Sequence, residues 1–131
     1  MRAYGRGRVL ARERAAYTSR TLHFCGVGNV DGRVLTPDGS THLIPQNGII
    51  GHTMPTLRST STPWPSGSRL VMHSDGVSAR WRLDAYVGLW NAHPALIAGV
   101  VFRDYARARD DATVLVLADG PPSAPVTGTI A

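Results

Sequence analysis

Two short acidic segments carry the residue types and spacing that could do chemistry. The first is Leu70-Val71-Met72-His73-Ser74-Asp75-Gly76-Val77, an apolar run that ends in an acid and a glycine. The second is Arg109-Asp110-Asp111-Ala112-Thr113, which leads directly into the apolar run Val114 to Leu117. An acid at the C-terminal end of one central strand and acids at the start of another can converge on one edge of a sheet. Carboxylates grouped in that way suit hard cations such as Mg²⁺ and Mn²⁺, which take oxygen ligands and keep several waters. Two adjacent cations would lower the pKa of a bridging water and clamp a phosphoryl group. Each segment alone reads equally well as a solvated turn. It is the pair, in this order and with helical sequence between, that is informative.

Other chemistries fail on the residues. Gly26-x-Gly28 follows a strand pattern, but Asp31 stands where a third glycine is needed and another strand pattern follows, so no helix N-terminus could receive a phosphate. The chain contains no lysine, which excludes a phosphate-binding loop of the Walker type. Ser74 lacks the glycine two residues earlier that a nucleophile elbow requires, since Met72 is there. The histidines His23, His42, His52, His73 and His93 show no metal-binding spacing and read as strand or surface residues. The single cysteine, Cys25, excludes an internal disulfide and reads as a small buried hydrophobe beside Phe24.

The elements that must position the acids can be read from pattern. Thr21–Cys25, Val30–Leu35 and Thr41–Pro45 read as strands, with a strong turn at Pro37-Asp38-Gly39-Ser40 and another signal at Asn47-Gly48. Leu57–Thr62 reads as an edge strand closed by Pro63-Trp64-Pro65. Arg69–Ser74 is almost continuously apolar and reads as a buried strand. Asp84–Trp90 suggests a short helix capped by Asp84. Pro94 suits a first helical position, and Leu96, Ile97, Val100 and Val101 then fall on one helical face. Ala112–Leu117 is a strong strand.

Charge is unevenly placed. The net charge of +5 invites a nucleic-acid reading, yet residues 1–20 hold six arginines and one glutamate, and the remainder balances eight arginines against eight aspartates. The excess therefore belongs to a basic arm, residues 1–20, with at most a short helix around Arg12–Ala16. A nucleic-acid role through that arm is a remote alternative. The longest apolar run is too short to span a bilayer and no secretory signal pattern follows the arginines, which leaves a cytoplasmic protein as the expectation. Residues 119–131, rich in proline and small residues, read as a flexible tail.

The run from Thr21 to about Leu117 resembles the C-terminal part of a PPM-type (type 2C) metal-dependent protein serine/threonine phosphatase, nearest to the bacterial SpoIIE-like and RsbX-like branch. The segments that carry the resemblance are Phe24-Cys25-Gly26-Val27-Gly28-Asn29, Asn47-Gly48-Ile49-Ile50-Gly51, Leu70 to Val77, His93-Pro94-Ala95-Leu96-Ile97-Ala98 and Arg109 to Thr113. The resemblance implies an α-β-β-α sandwich, present here over residues 21–118 without its first strands and helices. It implies Asp75 and Asp110 as metal ligands, with Asp111 as a further acid, around Mn²⁺ or Mg²⁺. It implies that Gly76 permits the turn that aims Asp75, and that Gly28, Asn29, Asn47 and Gly48 shape loops. The implied activity is hydrolysis of phosphoserine or phosphothreonine by a metal-activated water, on a phosphorylated regulatory protein of the anti-sigma antagonist type.

One family segment has no counterpart. An Asp-Gly-x-Gly motif should precede the Gly26–Asn29 loop and supply the aspartate that bridges both metals, but no aspartate occurs before Asp31. The expectation is a truncated or split phosphatase, incomplete as a catalyst. The alternative is a non-catalytic phosphatase-like interaction module.

Overall fold

The computed structural model describes residues 7–16, 19–47 and 56–119, with side chains described from Arg20 onward. Among the described residues, seven strands form two antiparallel sheets. Strands β1 (Gly7–Ala16), β2 (Ser19–Gly28) and β5 (Thr60–Pro63) make the first, in the order β1-β2-β5. Strands β3 (Val30–Thr36), β4 (Gly39–Leu43), β6 (Arg69–Ser74) and β7 (Val114–Ala118) make the second, in the order β4-β3-β6-β7. One α-helix, α1 (Pro94–Tyr105), packs on the outer side of the four-stranded sheet. None of the described helices is long and apolar enough to cross a membrane.

Period-two alternation explains the layering. On β2, Leu22 and Phe24 turn inward and are buried, whereas Cys25 lies on the opposite face and is only half-buried. Cys25 is thus not the core residue expected from its neighbour. Leu22 and Phe24 meet Val34, Leu43, Leu70, Met72 and Trp64 between the sheets. The outer face of the four-stranded sheet builds a second core, in which Val71 packs with Val77, Trp81, Leu83, Leu89, Ile97 and Val101. Strand β6 is covered on both faces, which is why its sequence is continuously apolar and not alternating. Burying each of Leu70, Val71 and Met72 is worth about 1.5–3 kcal/mol.

Two elements differ from the sequence reading. Residues 7–16 form β1, paired with β2 from Gly7 opposite Gly28 to Ala16 opposite Ser19, and not a short helix. Their pairing partner is supplied by tertiary structure, which local composition does not reveal. The expected helix over Asp84–Trp90 is two separate 3-10 turns, Leu83–Ala85 and Leu89–Asn91. Gly88, at φ 76°, breaks the path between them. Asp84 does not cap; its carboxylate accepts from Arg82 Nε at 3.0 Å and Nη2 at 2.5 Å. The only helical layer among the described residues is the one that holds α1, in keeping with a partial sandwich.

Two contacts set the relation of the layers. At one end, the Arg20 guanidinium donates to both oxygens of Asp119, which also accepts from the Gly67 amide at 3.1 Å. This ties the start of β2 to the end of β7. Burial opposes the charge on Asp119, yet Arg20 and the Gly67 amide still hold its pKa below the ordinary value. Above β3, the Arg33 guanidinium lies 3.6 Å from the Trp81 ring centroid and donates to the carbonyls of Ala79 and Trp81 at 2.8 and 2.9 Å. That clamp fixes the chain leaving the Asp75-Gly76 turn, a cation–π contact reinforced by two charge-assisted hydrogen bonds.

Candidate functional site

Strand β6 delivers Asp75 and Gly76 at its C-terminal end, and residues 107–113 run alongside before entering β7. The two segments are stitched backbone to backbone. The Ser74 amide donates to the Thr113 carbonyl at 3.1 Å, and the Arg107 amide donates to the Gly76 carbonyl at 2.8 Å. Val77 and Ala106 form an isolated antiparallel bridge, followed by the Ser78 amide donating to the Tyr105 carbonyl at 2.9 Å.

Ser74 adds a side-chain link. Its hydroxyl donates to the Asp111 carbonyl at 3.3 Å and accepts from the Thr113 amide at 3.0 Å. Sequence pattern gives Ser74 no role beyond the end of a buried strand. The usable signal was its place between a buried strand and an acid, where a short hydroxyl side chain reaches neighbouring backbone.

Gly76 is required for space. Its φ is not positive, so the turn itself does not demand glycine. A Cβ there would lie 2.1 Å from the Asp111 carbonyl oxygen and 2.8 Å from its carbonyl carbon. The resemblance assigned Gly76 to turn conformation; close approach of two backbones is the operative constraint.

The acidic segments therefore meet at one edge of the four-stranded sheet. Asp75, Asp110 and Asp111 are all exposed there. Their oxygen chemistry suits Mg²⁺ or Mn²⁺. Their number does not complete a site: among the described residues, no three His, Cys, Asp or Glu side chains are grouped so as to hold a metal ion. The two-cation centre implied by the resemblance is not assembled by these residues.

The remaining expected positions divide. Gly28, at φ 89°, occupies the left-handed region at the end of β2, and its amide donates to the Gln46 carbonyl at 3.0 Å. Asn29 is exposed in the bend between β2 and β3, and Asn47 is exposed after β4. Gly48 lies outside the described residues, as does His52. The other histidines have local partners. His93 Nδ1 accepts from the Ala95 amide at 3.2 Å and caps α1. His73 is buried with Nδ1 2.9 Å from the Ser74 carbonyl, and His23 Nδ1 lies 2.8 Å from Ser61 Oγ.

No family model and no curated protein matches the chain. Solved structures do. One, from work on the bacterial stressosome as a modular system adapted to control secondary messenger signalling, aligns with a TM-score of 0.63 at 22% identity, over 75% of this chain and 51% of that one. The phosphatase domain of the cell fate determinant SpoIIE from Bacillus subtilis (Mn presoaked) aligns at 0.57 and 16% identity, over 88% of this chain and 58% of that one. RsbX in complex with magnesium aligns at 0.56 and 20% identity, over 75% and 48%. The chain spans about half the length of these structures. At such identities the likeness establishes fold and not activity. Over the part that aligns, the two sheets and outer helix described above share the fold of these phosphatase domains.

Proposed function

We propose that this chain is the acid-bearing part of a regulatory phosphoserine/phosphothreonine protein phosphatase domain of the bacterial partner-switching kind, with no turnover of its own. The observation that carries the reading is the backbone stitch of the Asp75-Gly76 turn to Asp111, within a sandwich shared with SpoIIE and RsbX. Asp75, Asp110 and Asp111 are a partial donor set, with Asp75 and Asp110 as ligands and Asp111 beside them. The substrate class is a phosphorylated regulatory protein.

A thermal melt with and without millimolar Mn²⁺ tests the reading. A partial set binds weakly, so the expected gain is at most about 1 kcal/mol, a shift of a few degrees. The shift should vanish in Asp75→Asn/Asp110→Asn. A wild-type chain that melts identically with and without Mn²⁺ would remove the metal role.

The second reading, a non-catalytic interaction module, is favoured by the absence of a complete ligand group among the described residues. It predicts that binding of a phosphorylated or unphosphorylated regulatory partner is unchanged in the same double variant.

A further inference from the structure

Strand β1 sets arginines at alternating positions. Arg8, Arg12 and Arg14 stand opposite Val27, His23 and Thr21 in the register, and Leu10 stands opposite Cys25. Residues directly opposite each other in an antiparallel pair share a face. Leu22 and Phe24, which alternate with Thr21, His23 and Cys25 on β2, are buried between the two sheets. The arginine positions therefore belong to the other face of the three-stranded sheet, the one turned away from the core. Thr21, His23 and Cys25 on that face are each partly exposed, and the one described α-helix packs on the other sheet.

This face carries one sign of charge. Neither β2 nor β5 contains an acid, and Glu13 of β1 stands opposite Leu22, on the inner side. All nine acidic residues of the chain lie within the described stretches. Residues 1–6, 17–18, 48–55 and 120–131 therefore hold no acidic side chain that could neutralise the row. Two residues of antiparallel strand advance about 7 Å. Arg12 and Arg14 are one such step apart, and Arg8 and Arg12 are two.

We propose that the outer face of the β1-β2-β5 sheet binds the phosphate backbone of single-stranded nucleic acid, through Arg8, Arg12 and Arg14. Cations in a straight, regular row suit an extended chain of evenly spaced phosphates; the carboxylates of a folded acidic protein have no such period. A lipid surface would need apolar residues to insert, and Leu10 is the only large one among these positions of β1. β1 and the outward positions of β2 and β5 hold no Phe, Tyr or Trp on which bases could stack. Recognition is therefore of phosphate and not of base, and is indifferent to sequence. The inference rests on the placement of charge and not on the phosphatase reading; a chain with no metal site would present the same face.

The test is fluorescence anisotropy of a labelled oligothymidylate of about 12 nucleotides titrated with the full chain. Three phosphate contacts on a single strand give a log–log salt slope of about −2, so affinity should fall about twentyfold between about 50 and 200 mM salt. Arg8→Gln/Arg12→Gln/Arg14→Gln should bind at least about tenfold more weakly at the lower salt, with unchanged circular dichroism. Arg8→Lys/Arg12→Lys/Arg14→Lys keeps the charge and should keep most of the binding. Arg80→Gln/Arg82→Gln/Arg103→Gln removes the same charge from the side of the other sheet and should change binding little. The proposal is overturned if wild type does not bind, if the lysine variant loses as much as the glutamine variant, or if the control triple loses as much. Equal binding to polyglutamate or to phosphatidylserine vesicles would also overturn it, by making the face a general anion surface. So would a salt-sensitive dimer that the β1 glutamine variant abolishes, since a second copy would then occupy the face.

Discussion

The backbone of Gly76 lies against the backbone of Asp111 so closely that a single added methyl group would overlap the Asp111 carbonyl. This contact joins the end of β6 to the approach of β7, and it is what holds the two acidic segments at one edge. Gly76→Ala cannot be relieved by turning a side chain, because the obstacle is main chain. Overpacking of this kind costs about 1–3 kcal/mol. The urea midpoint of Gly76→Ala should fall accordingly, and an unchanged midpoint would show that the two segments are not apposed as described.

Ser74 should matter through its hydroxyl alone. Ser74→Ala removes one bond to the Asp111 carbonyl and one from the Thr113 amide, a loss of about 1 kcal/mol or somewhat more. Ser74→Thr keeps the hydroxyl and should recover most of it. Equal denaturation midpoints for the alanine variant and wild type would contradict this role.

Tyr86 donates a 2.6 Å hydrogen bond to Asp104, which also accepts from Arg103. Arg103 and then Tyr86 hold the Asp104 carboxyl down at about 2, and Asp104 in turn raises the Tyr86 phenol above its ordinary 10.0. The signs differ for the two groups. The Asp104 contribution is present above the ordinary carboxylate value of 3.8 and is lost as pH falls toward 2. The Tyr86 contribution is present below 10.0 and is lost as pH rises through its raised value. Ultraviolet titration of the phenolates should therefore show one tyrosine that resists ionisation, and Asp104→Asn should bring it back toward the ordinary range. An identical titration for wild type and variant would contradict the pairing.

Much of the positioning scaffold could be read from residues. The apolar run of β6, the strand at β7 and Pro94 at the start of α1 all stand where pattern placed them. The structure brings the backbones of the Asp75-Gly76 turn and Asp111 together beside β6. What pattern missed depends on partners distant in sequence. β1 is a strand because β2 lies beside it, despite a glycine at its start and scattered arginines that favour no period. The Asp84 region is not one helix because Gly88 turns left-handed and Arg82 takes the carboxylate that would have capped. The role of Ser74 and the true reason for Gly76 rest on the Asp111 backbone, which only folding brings near. Leu115 and Leu117 read as ordinary core residues, and nothing local shows that the facing sheet ends before it reaches them.

The proposed reading combines a phosphatase-like acidic edge with no complete metal-binding group among the described residues. Its most direct test is Mn²⁺-dependent hydrolysis of p-nitrophenyl phosphate and of a phosphoserine peptide by the full chain, beside Asp75→Ala. Rates at the level of buffer are expected for both proteins. Robust wild-type turnover that is lost in Asp75→Ala would contradict it, showing that the site is complete.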